Sequence, residues 1–353
     1  MSPFLRSVGL AGVVFFSQAG LACGGVLDVG SNEKGAGAPA DDGTIMPGTI
    51  TGSFVVIGDG LVVSENAREW RSARSPAPRL RAVAAEGSML VVIDGAGRSY
   101  VSNDQASTWS AGALALPLED EQAIALAWDG AQFVAVSGGW SGAASAVSTD
   151  GLTWTSIAAP QNHMFDLAFR TPAGARVASH YLSDLMTPGI WELKGGAWQP
   201  SSTPRFTGSR PEGLMAAAYA PEVSRTFGVA GTVVFDTADG ETWSSHEVSG
   251  LDGFRLRAVA AGGGRIVTIG ETGGSWASND RGATWARGNV EGEGFYASLA
   301  YGNGLFVAVG RTPVAVESKG VVGGAERTAD GVTWRREVLP SMISPAGIVF
   351  VRR

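Results

Sequence analysis

SNDRGATW (278–285) is a short polar run that closes on a tryptophan. Asp280 can accept backbone N–H groups in a tight turn, Gly282 can take positive φ there, and Trp285 supplies a large apolar face. Relatives of the run recur along the chain: SNDQASTW ending at Trp109, STDGLTW at Trp154, TADGETW at Trp243 and TADGVTW at Trp334. Two degenerate copies fill the gaps, SENAREW ending at Trp70 and ELKGGAW ending at Trp198. From Trp70 onward the successive separations are 39, 45, 44, 45, 42 and 49 residues, a period that suits four short strands per unit.

The strands are visible inside each unit. ASLAYGNGLFVAVG (297–310) reads as an apolar run, a Gly-Asn-Gly turn and a second apolar run. RAVAAEGSMLVVID (81–94), IALAWDGAQFVAVSG (124–138) and RAVAAGGGRIVTIG (257–270) repeat the pairing. A third strand, such as GSWASND (274–280), leads into the turn, and a fourth begins at the tryptophan. First strands are rich in alanine, which suits the narrow centre of a propeller. The N-terminal unit opens with SFVVIGDG (53–60), which matches second strands, whereas AGIVFVRR (346–353) has first-strand character. The expected fold is therefore all-β, a seven-bladed β-propeller over residues 51–353. One blade is closed by the C-terminal strand pairing with the N-terminal strands, leaving no exposed edge pair, and a monomer is expected.

The pattern S-x-D-x-G-x-T-W resembles the Asp-box, or BNR repeat, of sialidase-like propellers. The units also resemble the bacterial WD40/YVTN/BNR-like and photosystem II assembly factor-like repeats. The resemblance covers about residues 51–353 and implies structural boxes remote from any active site. It speaks to fold more than to activity, because unrelated functions share propellers.

Strand parity assigns roles to the two faces. In a four-stranded meander the 1–2 and 3–4 connections emerge on one face, and the 2–3 and 4–1 connections on the other. Asp104, Asp150, Asp239, Asp280 and Asp330 then lie around one rim and cannot converge on a reacting atom, so each is expected to hold a turn. Asp280→Ala should destabilise the fold and leave binding at the opposite face unchanged. That opposite face, around the central channel, is where a ligand site is expected. Its 4–1 loops carry Arg79, Arg81, Glu119, Asp120, Glu121, His163, Asp166, Arg210, Glu212, Arg255, Arg257 and Tyr296. Its 2–3 loops add Trp140, Glu271 and Arg311. The candidate ligand-binding residues are Arg81, Glu121, Trp140, His163, Asp166, Arg210, Arg257, Tyr296 and Arg311. Arginines, carboxylates and aromatics together suit a polar ligand such as a carbohydrate or a peptide. Each is also an ordinary residue for a solvated loop.

The rest of the sequence narrows the class. Of 353 residues 17% are charged and 51 are glycine, and the net charge of -7 comes with no lysine–arginine block, so no nucleic-acid partner is expected. Residues 1–22 read as an export signal, with Arg6 followed by the apolar run VGLAGVVFF (8–16), too short to span a bilayer. Cys23, the single cysteine, follows Ala19-Gly20-Leu21-Ala22 and resembles the lipid-accepting residue of a bacterial lipoprotein. Gly20 stands where such signals favour leucine, and ordinary cleavage after Ala22 is the alternative. Residues 23–50 read as a flexible tether. One cysteine allows no internal disulfide.

No catalytic residue, cofactor or metal is expected. His163, His180 and His246 fall in separate units, HEVSG (246–250) lacks the second histidine of a zinc-protease motif, and no P-loop or GxSxG elbow occurs. Resemblance to sialidases implies an arginine triad, a tyrosine nucleophile with its glutamate, and an acidic aspartate. FRTP (169–172) and GRTP (310–313) approach the family's first arginine motif, but in later blades and with threonine in place of isoleucine. The expected function is thus a non-catalytic, exported, lipid-anchored propeller at the outer membrane or cell surface, otherwise periplasmic or secreted, that binds a protein or glycan. The alternatives are a sialidase-type glycoside hydrolase and an assembly factor-like scaffold for an envelope complex.

Overall fold

The computed structural model describes residues 52–114, 116, 123–139, 142–159, 165–179, 189–201, 213–251, 255–270, 273–290, 295–313, 321–340 and 343–353. Among them there is no helix. Twenty-eight strands form seven four-stranded antiparallel sheets, each ordered from the axis outward. Blade I joins Pro345–Arg352 to Gly52–Gly58, Leu61–Ser64 and Arg71–Ser72. Blade II is Leu80–Glu86, Met89–Asp94, Ser99–Ser102 and Ser110–Ala111, and blade III is Ala123–Trp128, Phe133–Gly139, Gly142–Ser148 and Thr155–Ile157. Blade IV is Phe165–Thr171, Gly174–Ser179, Gly189–Lys194 and Ala197–Pro200, and blade V is Ala216–Ala220, Arg225–Ala230, Val233–Thr237 and Ser244–Glu247. Blade VI is Leu256–Gly262, Arg265–Gly270, Gly274–Ser278 and Ala286–Asn289, and blade VII is Phe295–Gly302, Leu305–Pro313, Val321–Thr328 and Arg335–Val338.

The ring is closed. Each inner strand contacts the inner strands of the blades before and after it, and that of blade I contacts both Phe295–Gly302 and Leu80–Glu86. Closure comes from a long antiparallel ladder in which Ser53 faces Val351, Val55 faces Val349 and Ile57 faces Gly347. The chain's first described strand is thus second in its blade, and its last is innermost.

Each sheet buries both faces, which is why inner and second strands read as near-continuous apolar runs. Alternate side chains serve the two junctions of a blade. Phe54, Val56 and Val62 pack against blade VII with Val307 and Val309, while Val55, Ile57 and Val63 pack against blade II with Val83 and Val92. Seven such clusters fill the seven junctions, so the core is a ring of interfaces. The outermost strands are two to four residues long and largely exposed, short edges that offer little template for pairing with another chain.

The tryptophans point backward around the ring. Trp70 packs at the VII–I junction, Trp109 at I–II, Trp154 at II–III, Trp198 at III–IV, Trp243 at IV–V, Trp285 at V–VI and Trp334 at VI–VII. Each indole therefore locks its own blade to the one before it. The turn glycine does the same at close range. Gly331 has φ 77°, and a Cβ there would lie 2.6 Å from Val267 of blade VI. A side chain is excluded on both counts.

Candidate functional site

One face of the wheel is built from aspartate turns. In SNDRGATW the Asp280 Oδ1 accepts the Ser278 hydroxyl (2.8 Å) and the Thr284 N–H (2.9 Å), while Oδ2 accepts the Thr284 hydroxyl. Those bonds, the Thr284 hydroxyl first, hold the carboxyl at about 2. Asp104 is held at about 2, chiefly by the Thr108 hydroxyl and N–H, and Asp239 at about 2 by the N–H groups of Thr242 and Glu241. Asp150 is lowered by the N–H of Thr153 above all. At Asp330 burial pushes upward, but N–H bonds from Thr333 and Val332 outweigh it and the net shift is downward. Every one of these carboxylates satisfies its own turn. In the degenerate SENAREW copy Asn66 takes the same place, its Oδ1 accepting the N–H groups of Arg68 and Glu69 at 2.9 Å each. In ELKGGAW the turn is made instead by Gly195 and Gly196, both at positive φ.

The other face is the mouth of the channel, formed by the starts of the inner strands and the connections between second and third strands. Five inner strands carry a β-bulge near their start, where one residue has no partner on the second strand. The extra residues are Arg81, Asp166, Arg257, Ala297 and Ala346, at equivalent positions in blades II, IV, VI, VII and I. A bulge re-aims the side chain it carries. Three of the candidate site residues, Arg81, Asp166 and Arg257, thus share one level of the ring, with Arg81 and Arg257 half-buried. Between the two arginines the arc through blades VII and I carries only the small residues Ala297 and Ala346.

The bulge also corrects one expectation. Tyr296 is not at the mouth surface: it is 2% exposed, and its hydroxyl donates to the fully buried Glu326 Oε1 at 2.7 Å. Because Ala297 is the extra residue, Tyr296 and Leu299 both turn into the VI–VII junction. Phe295 is left 66% exposed at the mouth, paired in register with Arg311. Simple alternation cannot locate an inserted residue, so the exposed aromatic went unread.

Arg79 and Arg255 flank the bulges and are exposed. Acidic groups near them are fewer among the described side chains. Asp59 is exposed in the second-to-third connection of blade I. Asp94 is committed to its own turn, accepting the N–H groups of Ala96 and Arg98 at 2.9 Å each and pairing with the Arg98 guanidinium at 2.8 Å. Glu121, Trp140, His163 and Arg210 lie outside the described residues, as do Cys23 and residues 1–51 as a whole. Asp166 and Arg311 are described only as strand positions. His246, away from the mouth, pairs with Asp236 at 2.6 Å and supports Gly282 of the next blade's turn. Arg170, the arginine of FRTP, lies 4.3 Å over the Tyr219 ring on the aspartate-turn side. Among the described residues no cluster of His, Cys, Asp and Glu could hold a metal, and no helix is long and apolar enough to cross a membrane.

No protein-family model matches the chain, and no curated protein matches it. Solved structures do. One described as YCF48 bound to D1 peptide aligns with a TM-score of 0.54 at 15% identity, covering 74% of this chain and 91% of that one. YCF48 from Cyanidioschyzon merolae aligns with a TM-score of 0.51 at 16% identity, covering 73% of this chain and 92% of that one. At such identities the likeness is one of fold: the chain is a seven-bladed β-propeller with YCF48 among its structural neighbours.

Proposed function

We propose that this propeller is a non-catalytic, assembly factor-like scaffold whose mouth holds an extended segment of a protein partner. The carrying observation is the pair of bulged arginines, Arg81 and Arg257, flanked by Arg79 and Arg255 around an arc floored by alanine, with Phe295 exposed at its rim. Among the described mouth side chains Arg79, Arg81, Arg255 and Arg257 outnumber the one acidic group Asp59, which favours a segment that carries acidic side chains. Arginine donates in a planar fork that suits carboxylates. An exposed phenylalanine adds an apolar anchor of the kind that dominates binding hot spots. The peptide-bound YCF48 structure supports a peptide over a glycan as occupant.

In this reading residues 1–22 direct export and Cys23 takes a lipid. The strand Gly52–Gly58 starts at the aspartate-turn end of blade I, with Gly52 opposite Arg352. Intact mass of the membrane fraction tests the anchor, since an unmodified Cys23 removes it.

A peptide array tests the mouth. Acidic peptides with one bulky apolar residue should bind the purified protein, and Arg81→Glu with Arg257→Glu should reduce that binding at least tenfold. Binding to a glycan array with none to peptides would replace this function with a lectin-like one. Hydrolysis of a fluorogenic sialoside above a heat-denatured control would refute the non-catalytic role.

A further inference from the structure

A second concave feature lies on the opposite face, at the V–VI junction. A cavity of about 250 Å³ is lined by Ala220, Val223 and Phe227 of blade V and by Ala261, Arg265 and Ile266 of blade VI, with Glu222, Asn279 and Arg281 at its edge. It exists because both inner strands end in small side chains here. Blade V presents Ala220 and blade VI presents Ala261 to the shared junction. The floor is apolar: Phe227 and Ile266 are 1% and 4% exposed.

Three arginines of other blades are committed, Arg98 to Asp94, Arg176 to Glu192 and Arg327 to Glu337. The side chains of Arg265, Arg281, Glu222 and Asn279 make no hydrogen bond or ion pair with any described residue, and Arg265 and Glu222 both act on the nearby Tyr301 hydroxyl through their charge. Arg281 is also held at φ 62°, an uncommon conformation for a residue with a long side chain. The turn fixes that backbone by its length, since Gln105 takes φ 58° at the matching place in SNDQASTW. The guanidinium is therefore presented from a rigid support rather than from a free loop.

We propose that this cleft captures the free carboxyl terminus of a partner polypeptide ending in an apolar residue. The terminal side chain lies on Phe227 and Ile266. The terminal carboxylate takes the forked donors of Arg281 and Arg265, with the Asn279 amide as a further donor. Glu222 accepts the N–H of the last peptide unit. Two guanidinium groups offer forked donors to a carboxylate, which an amide end cannot accept in the same way. The exposed edge at Glu222, Asn279 and Arg281 leaves a path for the preceding residues, as a chain end requires and an enclosed small-molecule pocket does not. This site stands independently of the mouth, because none of its residues lies there.

Fluorescence polarisation of the full-length protein with a dye-labelled Gly-Gly-Gly-Leu peptide tests it, beside the same peptide as its C-terminal amide and free leucine as competitor. The acid should bind saturably, the amide at least tenfold more weakly, and Arg281→Gln or Arg265→Gln should weaken the acid at least fivefold at an unchanged melting temperature. Phe295→Ala should change nothing. Should a glutamine variant melt lower, Arg281→Lys reads the same contact, keeping the charge and losing the fork, and should weaken binding several-fold. Equal binding of acid and amide, absence of saturable binding, or indifference to the arginine variants would overturn the proposal. Free leucine competing as well as the peptide would overturn it too, by making the cleft an amino-acid site.

Discussion

Trp334 Nε1 donates to the Ser275 Oγ across the VI–VII junction at 2.8 Å, and both residues are buried. Ser275 in turn donates to the carbonyl of Gly331 at 3.0 Å, so the serine of one blade is tied to both ends of the next blade's turn. The same link joins Trp154 to Ser99 and Trp198 to Ser145, each at 3.0 Å. Trp334→Ala should cost about 3–5 kcal/mol, as for other buried aromatic truncations. Ser275→Ala should cost about 1 kcal/mol, because Trp334 keeps a bond to the Gly331 carbonyl. Urea unfolding monitored by tryptophan fluorescence measures both. Equal costs would show that the hydrogen bond, and not the packing, carries the junction.

The aspartate turns set a pH dependence. Asp104, Asp239 and Asp280 are held at about 2 in the folded chain. An unfolded aspartate titrates near 3.9. Folding thus depresses these pKa values, so their contribution is complete above about pH 4 and is lost as pH falls from about 4 toward 2. Melting temperature followed from pH 6 to pH 2 should fall only in that acidic window. An Asp104→Asn, Asp239→Asn, Asp280→Asn triple variant should melt lower at neutral pH and show a shallower acid decline. A decline as steep as in the parent would remove these carboxylates from the account.

Blade IV contains a buried ion pair. The Arg176 guanidinium, with its side chain fully buried, meets Glu192 Oε2 at 2.8 Å. Burial lowers the arginine pKa, and the nearby glutamate opposes that. Glu192→Ala removes the ion-pair partner, leaving Arg176 only the Ala175 carbonyl and the more distant Glu241 charge, and should cost about 3 kcal/mol. Arg176→Met, which removes the charge while filling much of the volume, should cost clearly less. Chemical denaturation of the two variants separates them, and the reverse order would contradict the pairing.

Charge at the mouth should appear in salt dependence. If acidic peptides bind through Arg81 and Arg257, affinity should fall between low and physiological ionic strength as exposed charges are screened. Phe295→Ala should weaken binding by about 1–2 kcal/mol with the salt slope unchanged, because it removes an apolar anchor and no charge. Isothermal titration at two salt concentrations distinguishes the contributions. A loss confined to the aspartate-turn variant Asp280→Asn would place the site on the other face.

The blades were legible because their punctuation is local. Each tryptophan-ended turn encodes its own hydrogen bonds in four or five adjacent residues, and the strand ends SFVVIGDG and AGIVFVRR announced the shared blade. The mouth was less legible because bulges are not written in composition. Arg81 and Arg257 sit in matching LRAVAA segments and could be read as equivalent. The shift at Ala297, which buries Tyr296 and frees Phe295, depends on packing at the VI–VII junction. The cleft at Arg265 and Arg281 was hidden for a different reason. Its walls come from two blades, and its opening depends on Ala220 and Ala261 meeting across the V–VI junction. Asn66 shows the opposite case, a weak copy of the motif that keeps the turn by its side-chain carbonyl.

The account rests on a ring closed by its two ends, which is what separates a mouth from a face of structural turns. Native-state hydrogen exchange resolved to single strands tests this directly. Amides in Gly52–Gly58 and Pro345–Arg352 should be as protected as those in the hairpin Ala123–Trp128 and Phe133–Gly139, and should open together with them. Rapid exchange along Pro345–Arg352 while the other inner strands stay protected would contradict closure, and with it the assignment of the two faces.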